Sequence, residues 1–204
     1  MATTFPRELP AVEYAAGADP VLNEGVTASR TKGKLTNFTD VSDPFWEVTL
    51  TAQRLTYSQF SALEAWWLSL RGGLKGALFR HPHACYPKAH LTNKAPADDA
   101  GVLVSVSEGN LLNVSSVAAG LVLAEGDRIG LELGARRYLG RVTEVSGSGT
   151  TRQIRVEPPP YKAVAQVNAV VRFARPGLVM RPVPGSWSPS RSGRFYTVTF
   201  KLQE

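Results

Sequence analysis

Residues 46–53, Trp-Glu-Val-Thr-Leu-Thr-Ala-Gln, decide the fold class. Apolar and polar residues alternate strictly along this stretch, and a period of two predicts a β-strand with one buried face. Residues 195–202, Phe-Tyr-Thr-Val-Thr-Phe-Lys-Leu, alternate in the same way near the other end of the chain. Because a lone strand is marginal in water, we expect these two strands to join one sheet.

One helix is predicted directly after the first strand. Thr56 and Gln59 have the spacing of a capping box, in which the two side chains bind backbone N–H groups of the first turn. The apolar residues that follow at helical spacing are Phe60, Leu63, Trp67 and Leu70. Gly72 and Gly73 then end the helix. We expect the helix to span residues 57–71 and to pack this stripe on the sheet, with Trp66 at the margin of the core.

The remaining segments differ in character from these two elements. Residues 5–25 contain three prolines and no sustained period, so we expect an extended arm that a neighbouring molecule holds in place. Residues 28–38 mix polar and apolar types, with a turn expected at Gly33. From Val102 onward, short alternating runs are separated by glycine turns, which is typical of a small β barrel.

These features predict a mainly β fold with two domains. Residues 1–94 and 175–204 would form one β domain with the helix, and residues 95–174 would form a small β barrel inserted into it. The sequence contains no run of about 18 apolar residues, so we expect no membrane segment. Residues 1–8 lack the apolar core of a signal peptide. Cys85 is the single cysteine, which excludes an intrachain disulfide and favours a reducing compartment.

The formal net charge of +6 is concentrated at the end of the chain. Residues 175–204 contain five basic residues and one acidic residue. The basic residues are Arg175, Arg181, Arg191, Arg194 and Lys201. They are scattered between prolines and strand residues, a pattern typical of solvated edge positions. The alternative is that these basic residues bind an acidic protein surface or a nucleic acid.

The sharpest candidate for chemistry is a cluster of His81, His83, Cys85 and His90, whose side chains could bind zinc. The spacing matches no structural zinc pattern, and Pro82 interrupts any regular strand. We therefore expect no metal site, although a metallohydrolase that uses His81, His83 and Cys85 stays an alternative. The sequence contains no Gly-x-Ser-x-Gly elbow and no phosphate-binding loop. We expect no catalytic residues and no cofactor, so that the protein is not an enzyme.

The order of these features resembles the distal tail proteins of long-tailed, siphovirus-like bacteriophages and of gene-transfer particles. The segments that carry the resemblance in the first half are Phe5-Pro6, residues 45–50, residues 60–73 and Gly76-Ala-Leu-Phe-Arg80. In the second half, residues 125–133 and 154–160 are similar to segments of tail-tip and baseplate proteins. The His-Pro-His-Ala-Cys stretch after Phe79 departs from the family, in which a more regular strand with acidic residues is expected.

The resemblance implies a structural virion protein without catalytic, cofactor or metal residues. Its fold would be a tail-tube-like β sandwich or split barrel that forms a homo-oligomeric ring, usually a hexamer, in the virion after assembly in the host cytoplasm. One face would contact the tail tube protein, and the other would contact the tail hub and host-binding fibre proteins. The inserted barrel would project outwards. The alternatives are a nucleic-acid-binding β barrel and a hydrolase, either the metallohydrolase above or a tail-associated enzyme that cleaves the cell wall.

Overall fold

A computed structural model of the chain describes residues 4–30 and 36–204. Within these residues the fold is mainly β, with one long helix and a closed six-stranded barrel. The strands are β1 (Arg7–Glu8), β2 (Val21–Asn23), β3 (Val26–Arg30), β4 (Thr36–Asp40), β5 (Phe45–Leu55), β6 (Ala77–Arg80), β7 (Gly101–Ser107), β8 (Leu111–Ser115), β9 (Arg128–Leu133), β10 (Arg136–Ser146), β11 (Arg152–Glu157), β12 (Val170–Arg172), β13 (Gly177–Pro182), β14 (Ser188–Ser192) and β15 (Phe195–Gln203). The α-helices are α1 (Tyr57–Ser69) and α2 (Ala95–Asp98), and short 3-10 turns lie at Arg71–Gly73 and Lys88–His90.

Strands from both ends of the chain form one seven-stranded sheet. Its order is β1-β6-β13-β15-β5-β2, and β14 pairs with the first half of β15. The strands β15 and β5 are antiparallel, with Val198 opposite Ala52 and Leu202 opposite Val48. The last strand therefore joins the sheet of the first alternating strand, as its own alternation predicts.

Helix α1 covers the buried face of this sheet. It begins with the predicted capping box, in which Thr56 Oγ1 accepts the Gln59 N–H (3.4 Å) and Gln59 Oε1 accepts the Thr56 N–H (2.9 Å). The helix is two residues shorter than expected, because a 3-10 turn follows Leu70. Trp66 is only 3% exposed, whereas Trp67 is half-buried. The expectation that Trp66 lies at the margin of the core is therefore wrong.

Both tryptophans contact the sheet, which is why their spacing did not separate them. Trp67 contacts Trp187 and Phe200 at ring-centroid distances of 5.1 and 5.3 Å, near the end of the β13–β14 loop. Trp66 contacts Phe200 at 6.0 Å and has the larger buried fraction. The spacing of apolar residues identifies the helical face but does not locate the centre of the contact.

The arm before β5 is held by its own sheet. Tyr14 is 5% exposed and forms a bridge with Ala52. Two backbone hydrogen bonds join the arm to β5 on either side of this bridge. The Ala15 N–H donates to Thr51 O at 2.8 Å, and the Gln53 N–H donates to Glu13 O at 2.9 Å. The expectation that a neighbouring molecule holds residues 5–25 is therefore wrong. The sequence of the arm shows no sustained alternation of apolar and polar residues, because single residues such as Tyr14 attach it to the sheet instead of one continuous strand.

The barrel is closed, in the order β10-β11-β8-β7-β12-β9, so it has no free edge. Its core consists of alternating strand residues, among them Leu103, Leu112, Ile129, Leu131, Ile154 and Val171. Strand β10 also contacts the sheet, because Leu139 belongs to the core of the sheet. The buried Trp46 Nε1–H donates to Leu139 O at 2.8 Å. Within the described residues, no helix has both the length and the apolarity needed to cross a membrane.

The first prediction compares the two neighbouring tryptophans. Trp66→Ala should lower the free energy of unfolding by about 3–5 kcal/mol, as for a large aromatic removed from a core. Trp67→Ala should cost roughly half as much, because part of its side chain is already hydrated. Urea unfolding of both variants measures the difference. Trp66→Phe is the control, and it should cost less than about 1.5 kcal/mol. A larger loss for Trp67→Ala than for Trp66→Ala would contradict this order.

The second prediction concerns the insertion. Replacement of residues 95–174 by a short glycine linker should leave a folded but weakened sheet. The sheet then loses the buried side chain of Leu139 and the hydrogen bond from the Trp46 indole N–H to Leu139 O, which together cost about 1–3 kcal/mol. Ending the chain after residue 190 removes β15 and should unfold the sheet while the barrel persists. Amide hydrogen exchange of both truncated chains distinguishes sheet from barrel. Protection of β5 in the chain without β15 would contradict the dependence on that strand.

Candidate functional site

The four residues of the candidate metal cluster do not converge on one point. His81 Nδ1 accepts the backbone N–H groups of Ala84 (2.7 Å) and His83 (3.1 Å), and Cys85 Sγ–H donates to His81 O (3.2 Å). His90 lies apart, where its Nε2 accepts the Val122 N–H at 2.9 Å. In the part of the chain that the structure describes, no group of three His, Cys, Asp or Glu residues could hold a metal ion.

His81 belongs instead to a charged junction between the arm, the sheet and the barrel. The Arg128 guanidinium forms an ion pair with the carboxylate of Asp19, and Arg141 lies 3.9 Å from the same oxygen. His81 Nε2 lies 3.3 Å from Asp19 Oδ1, although the two atoms are not aligned for a hydrogen bond. Because Nδ1 accepts two N–H groups, the neutral ring has its proton on Nε2.

The electrostatics of this junction keep His81 neutral. Burial is the main cause that lowers the pKa of His81, and the nearby Arg128 charge also lowers it; against the opposing effect of Asp19, the resulting pKa is about 4. Burial alone would raise the pKa of Asp19, but the charge and hydrogen bond of Arg128 outweigh it, so that the pKa is lowered. The junction therefore holds a carboxylate between arginines with a neutral imidazole beside it, which is a structural arrangement rather than an acid–base pair.

A cleft of about 300 Å³ adjoins the junction and is lined by Tyr14, His81, Cys85 and Arg175, among others. Catalysis by Cys85 would need a base within hydrogen-bond reach of the thiol. Cys85 Sγ–H donates to a carbonyl, and the acceptor nitrogen of His81 is occupied by two backbone N–H groups. The cleft therefore contains no nucleophile–base pair among the residues that the structure describes.

A highly exposed part of the fold is the two-stranded ribbon formed by β3 and β4. Val26 pairs with Asp40, and Ala28 pairs with Phe38. Every residue of β3 is exposed, and Phe38 is 72% exposed. The turn expected at Gly33 lies outside the described residues. A two-stranded ribbon that buries no face is marginal alone, so this element is suited to contact another molecule.

The base of the ribbon is closely packed, in contrast to its exposed strands. The Val41 N–H donates to Gly25 O at 2.9 Å. Gly25 has a φ of +53°, and a Cβ added there would meet Ser42 Oγ at 2.3 Å. Only glycine fits this conformation and this space.

An acidic groove of about 500 Å³ lies at the base of the ribbon. Its walls include carboxylates from three separate segments and apolar residues between them. The residues that define it are Glu24, Val26, Val41, Asp43, Glu157 and Pro158. All three carboxylates belong to exposed residues. No salt bridge joins Glu24 or Asp43 to a basic residue within residues 4–30 and 36–204. The groove is therefore accessible to a cationic group of another molecule.

A basic tip lies at the turn between β14 and β15. We define it by Tyr57, Arg191, Arg194, Phe195 and Tyr196. The guanidinium of Arg191 lies 5.4 Å from the ring centroid of Tyr196, and that of Arg194 lies 5.3 Å from Phe195. Tyr196 stacks on Phe60 of helix α1, with ring centroids 4.6 Å apart. The helix thus supports the tip, and the two arginines lie on aromatic rings with their charges exposed.

The other basic residues of residues 175–204 do not join this tip. Lys201 Nζ lies 3.1 Å from Glu47 Oε1, and Arg181 donates to Gly73 O at 2.7 Å. The Arg175 backbone N–H donates to Cys85 O at 2.6 Å, beside the barrel. These three residues are scattered and exposed, as expected, but Arg181 and Lys201 lie on interior strands rather than at an edge, whereas Arg191 and Arg194 cluster. The sequence signal for the cluster is the interleaving of Arg191 and Arg194 with Phe195 and Tyr196.

Comparison with known proteins gives no family assignment. No protein-family model matches the chain, and no curated protein matches its sequence. The function is therefore argued from the ribbon, the acidic groove and the basic tip.

The third prediction concerns the pH dependence of stability. The folded-state pKa of His81, about 4, lies below its ordinary value of 6.5. Between these values the unfolded chain binds a proton that the folded chain does not, so the free energy of unfolding falls as the pH drops through this window. A pKa difference of this size is worth up to about 3 kcal/mol. His81→Asn, whose amide oxygen can replace Nδ1 as an acceptor, should remove most of this dependence.

Urea unfolding of both proteins at about pH 7 and about pH 4.5 measures the effect on either side of the window. His83→Asn, at the exposed neighbour, is the matched control and should keep the wild-type dependence. An equal loss of stability on acidification in wild type and His81→Asn would contradict the assignment.

Proposed function

We propose that this chain is a structural protein of a phage-like tail, which forms a ring at the distal end of the tail tube. The observation that carries the proposal is the exposed ribbon of β3 and β4, with Phe38 at its surface. A ribbon of this kind buries nothing within its own chain, and it gains stability only when another molecule covers it. Assembly with further copies of the chain would give every subunit a neighbour whose surface covers its ribbon.

The arrangement of the sheet supports the same proposal. The segments that resemble distal tail proteins form a continuous unit: β5, helix α1, and β6 after the glycine turn. The basic tip and the acidic groove lie on opposite sides of β5. A subunit with different surfaces on its two sides forms head-to-tail contacts, and these close into a ring when the rotation between subunits is suitable.

The ring would connect the tail tube protein on one face with the tail hub and host-binding fibre proteins on the other. The inserted barrel is a closed unit without free edges, so it can project from the ring without promoting aggregation. The protein would be located at the tail tip of the virion after assembly in the host cytoplasm. It would act by assembly, not as an enzyme, and would need no cofactor.

A second candidate function is nucleic-acid binding through the basic tip. Two arginines beside exposed aromatic rings can contact phosphates and stack on bases. The tip contains only two arginines, and the three other basic residues near the chain end lie elsewhere. A small number of phosphate contacts gives weak binding at physiological salt, so assembly is the better account. No observation favours the metallohydrolase, because the ring nitrogens of His81 are turned towards the backbone and Asp19.

The fourth prediction concerns the assembled state. The purified protein should have about six times the 22.1 kDa mass of the chain, measured by light scattering or native mass spectrometry. Phe38→Ser should disrupt this assembly without a loss of stability of the monomer, since the ring of Phe38 is exposed within one chain. Val167→Ser is the matched control, because Val167 is an exposed apolar residue of the barrel.

Some ring proteins assemble only on a template, so the measurement is repeated with the tube and hub proteins encoded near the same gene. A chain that stays monomeric at high concentration, with and without these proteins, would contradict the proposed ring.

A further inference from the structure

We infer that the basic tip of one copy docks into the acidic groove of the next copy. The inference rests on the proposed ring and names the two surfaces that join its subunits. The tip consists of Arg191 and Arg194 on a platform of aromatic rings, and the groove contains three exposed carboxylates. The occupant of the groove is therefore a second copy of this chain.

Charge is the first reason. Within the described residues, neither arginine of the tip forms a salt bridge, and the same is true of Glu24 and Asp43. Arginine binds carboxylates through two parallel hydrogen bonds, which adds geometric specificity to the attraction. The third carboxylate of the groove, Glu157, accepts a hydrogen bond from Asn110 at 2.8 Å, so Glu24 and Asp43 are the anions that the two arginines would pair with.

Shape and composition are the second reason. The groove is about 500 Å³ in volume and has apolar walls, including Val26, Val41 and Pro158, between its carboxylates. Arginine and aromatic residues are the types that contribute most at the centre of protein interfaces. The tip combines both, and its platform is fixed because Tyr196 stacks on Phe60. An aromatic and cationic tip fits an apolar pocket that has a negative rim.

Position is the third reason, because the two surfaces are unable to meet within one chain. The tip lies at the end of β5 where Leu55 is opposite Tyr196. The groove lies at the other end, where Phe45 pairs with Asn23 of β2. These ends are ten residues apart along an extended strand, which corresponds to roughly 30 Å. The surfaces also lie on opposite sides of β5, so a contact between them joins two copies head to tail.

The experiment reverses the charge of each surface separately. The tip variant is Arg191→Glu with Arg194→Glu, and the groove variant is Glu24→Arg with Asp43→Arg. All four side chains are exposed, so both variants should keep the wild-type circular dichroism and melting temperature. Each variant alone should associate roughly 100-fold more weakly than wild type, because like charges then face each other. An equimolar mixture should assemble again, since every contact in an alternating ring then joins opposite charges.

The matched control for the tip variant is Arg136→Glu with Lys162→Glu, which makes the same change in net charge on the barrel. This control should assemble like wild type, measured by sedimentation velocity at equal salt and protein concentrations. A third assay measures binding of each protein to a fluorescent single-stranded DNA oligonucleotide.

The outcomes separate the docking contact from the ring itself. If wild type forms rings and both charge variants do so equally well, the docking contact is wrong and the proposed function stands. Loss of assembly in the barrel control, or failure of the mixture to assemble, also overturns the contact. If the tip variant loses DNA binding but keeps its rings, the tip is a nucleic-acid site. A monomeric wild type in the presence of tube and hub proteins overturns the ring as well.

Discussion

The antiparallel pairing of β15 with β5 is the interaction on which the rest of the fold depends. It joins the two ends of the chain, with Val198 opposite Ala52, and it creates the face that helix α1 covers. The entropic cost of closing a long loop grows only slowly with its length, so a complete barrel can lie between the two strands at little extra cost. Burial of Phe200 and Leu50 on this face offsets the closure cost, since each side chain is fully buried.

The same pairing fixes how the barrel is attached. Trp46 lies on β5, and its indole N–H donates to Leu139 O within a buried contact. The ion pair of Asp19 and Arg128 forms a second attachment, from the arm to the start of barrel strand β9. A buried hydrogen bond is costly to leave unmade, so the barrel keeps one orientation on the sheet. In a ring, each subunit would then present its barrel at the same angle, which a flexible tether would not achieve.

The parts of the fold that the sequence predicts are those with a clear period. Strands β5 and β15, the capping box at Thr56 and the separate barrel follow from alternation and turn residues. The candidate site does not, for two physical reasons. The ribbon has both faces exposed, so no alternation of apolar and polar residues marks it. The groove combines Glu24, Asp43 and Glu157, which come together only when the ribbon base meets the end of a barrel strand.

The exposed edges of the molecule explain why the proposed ring would need charge for a specific contact. Strand β14 is an outer strand, but it contains Pro189 and Arg191, which prevent indiscriminate pairing with other strands. A contact through the backbone edge alone would therefore be weak. Exposed charges act over about 10 Å at moderate salt and orient two copies before they touch. In the proposed ring, the apolar walls of the groove and the exposed face of the ribbon would then exclude water and slow dissociation. Charge would select the partner surface, and burial of apolar area would prolong the contact.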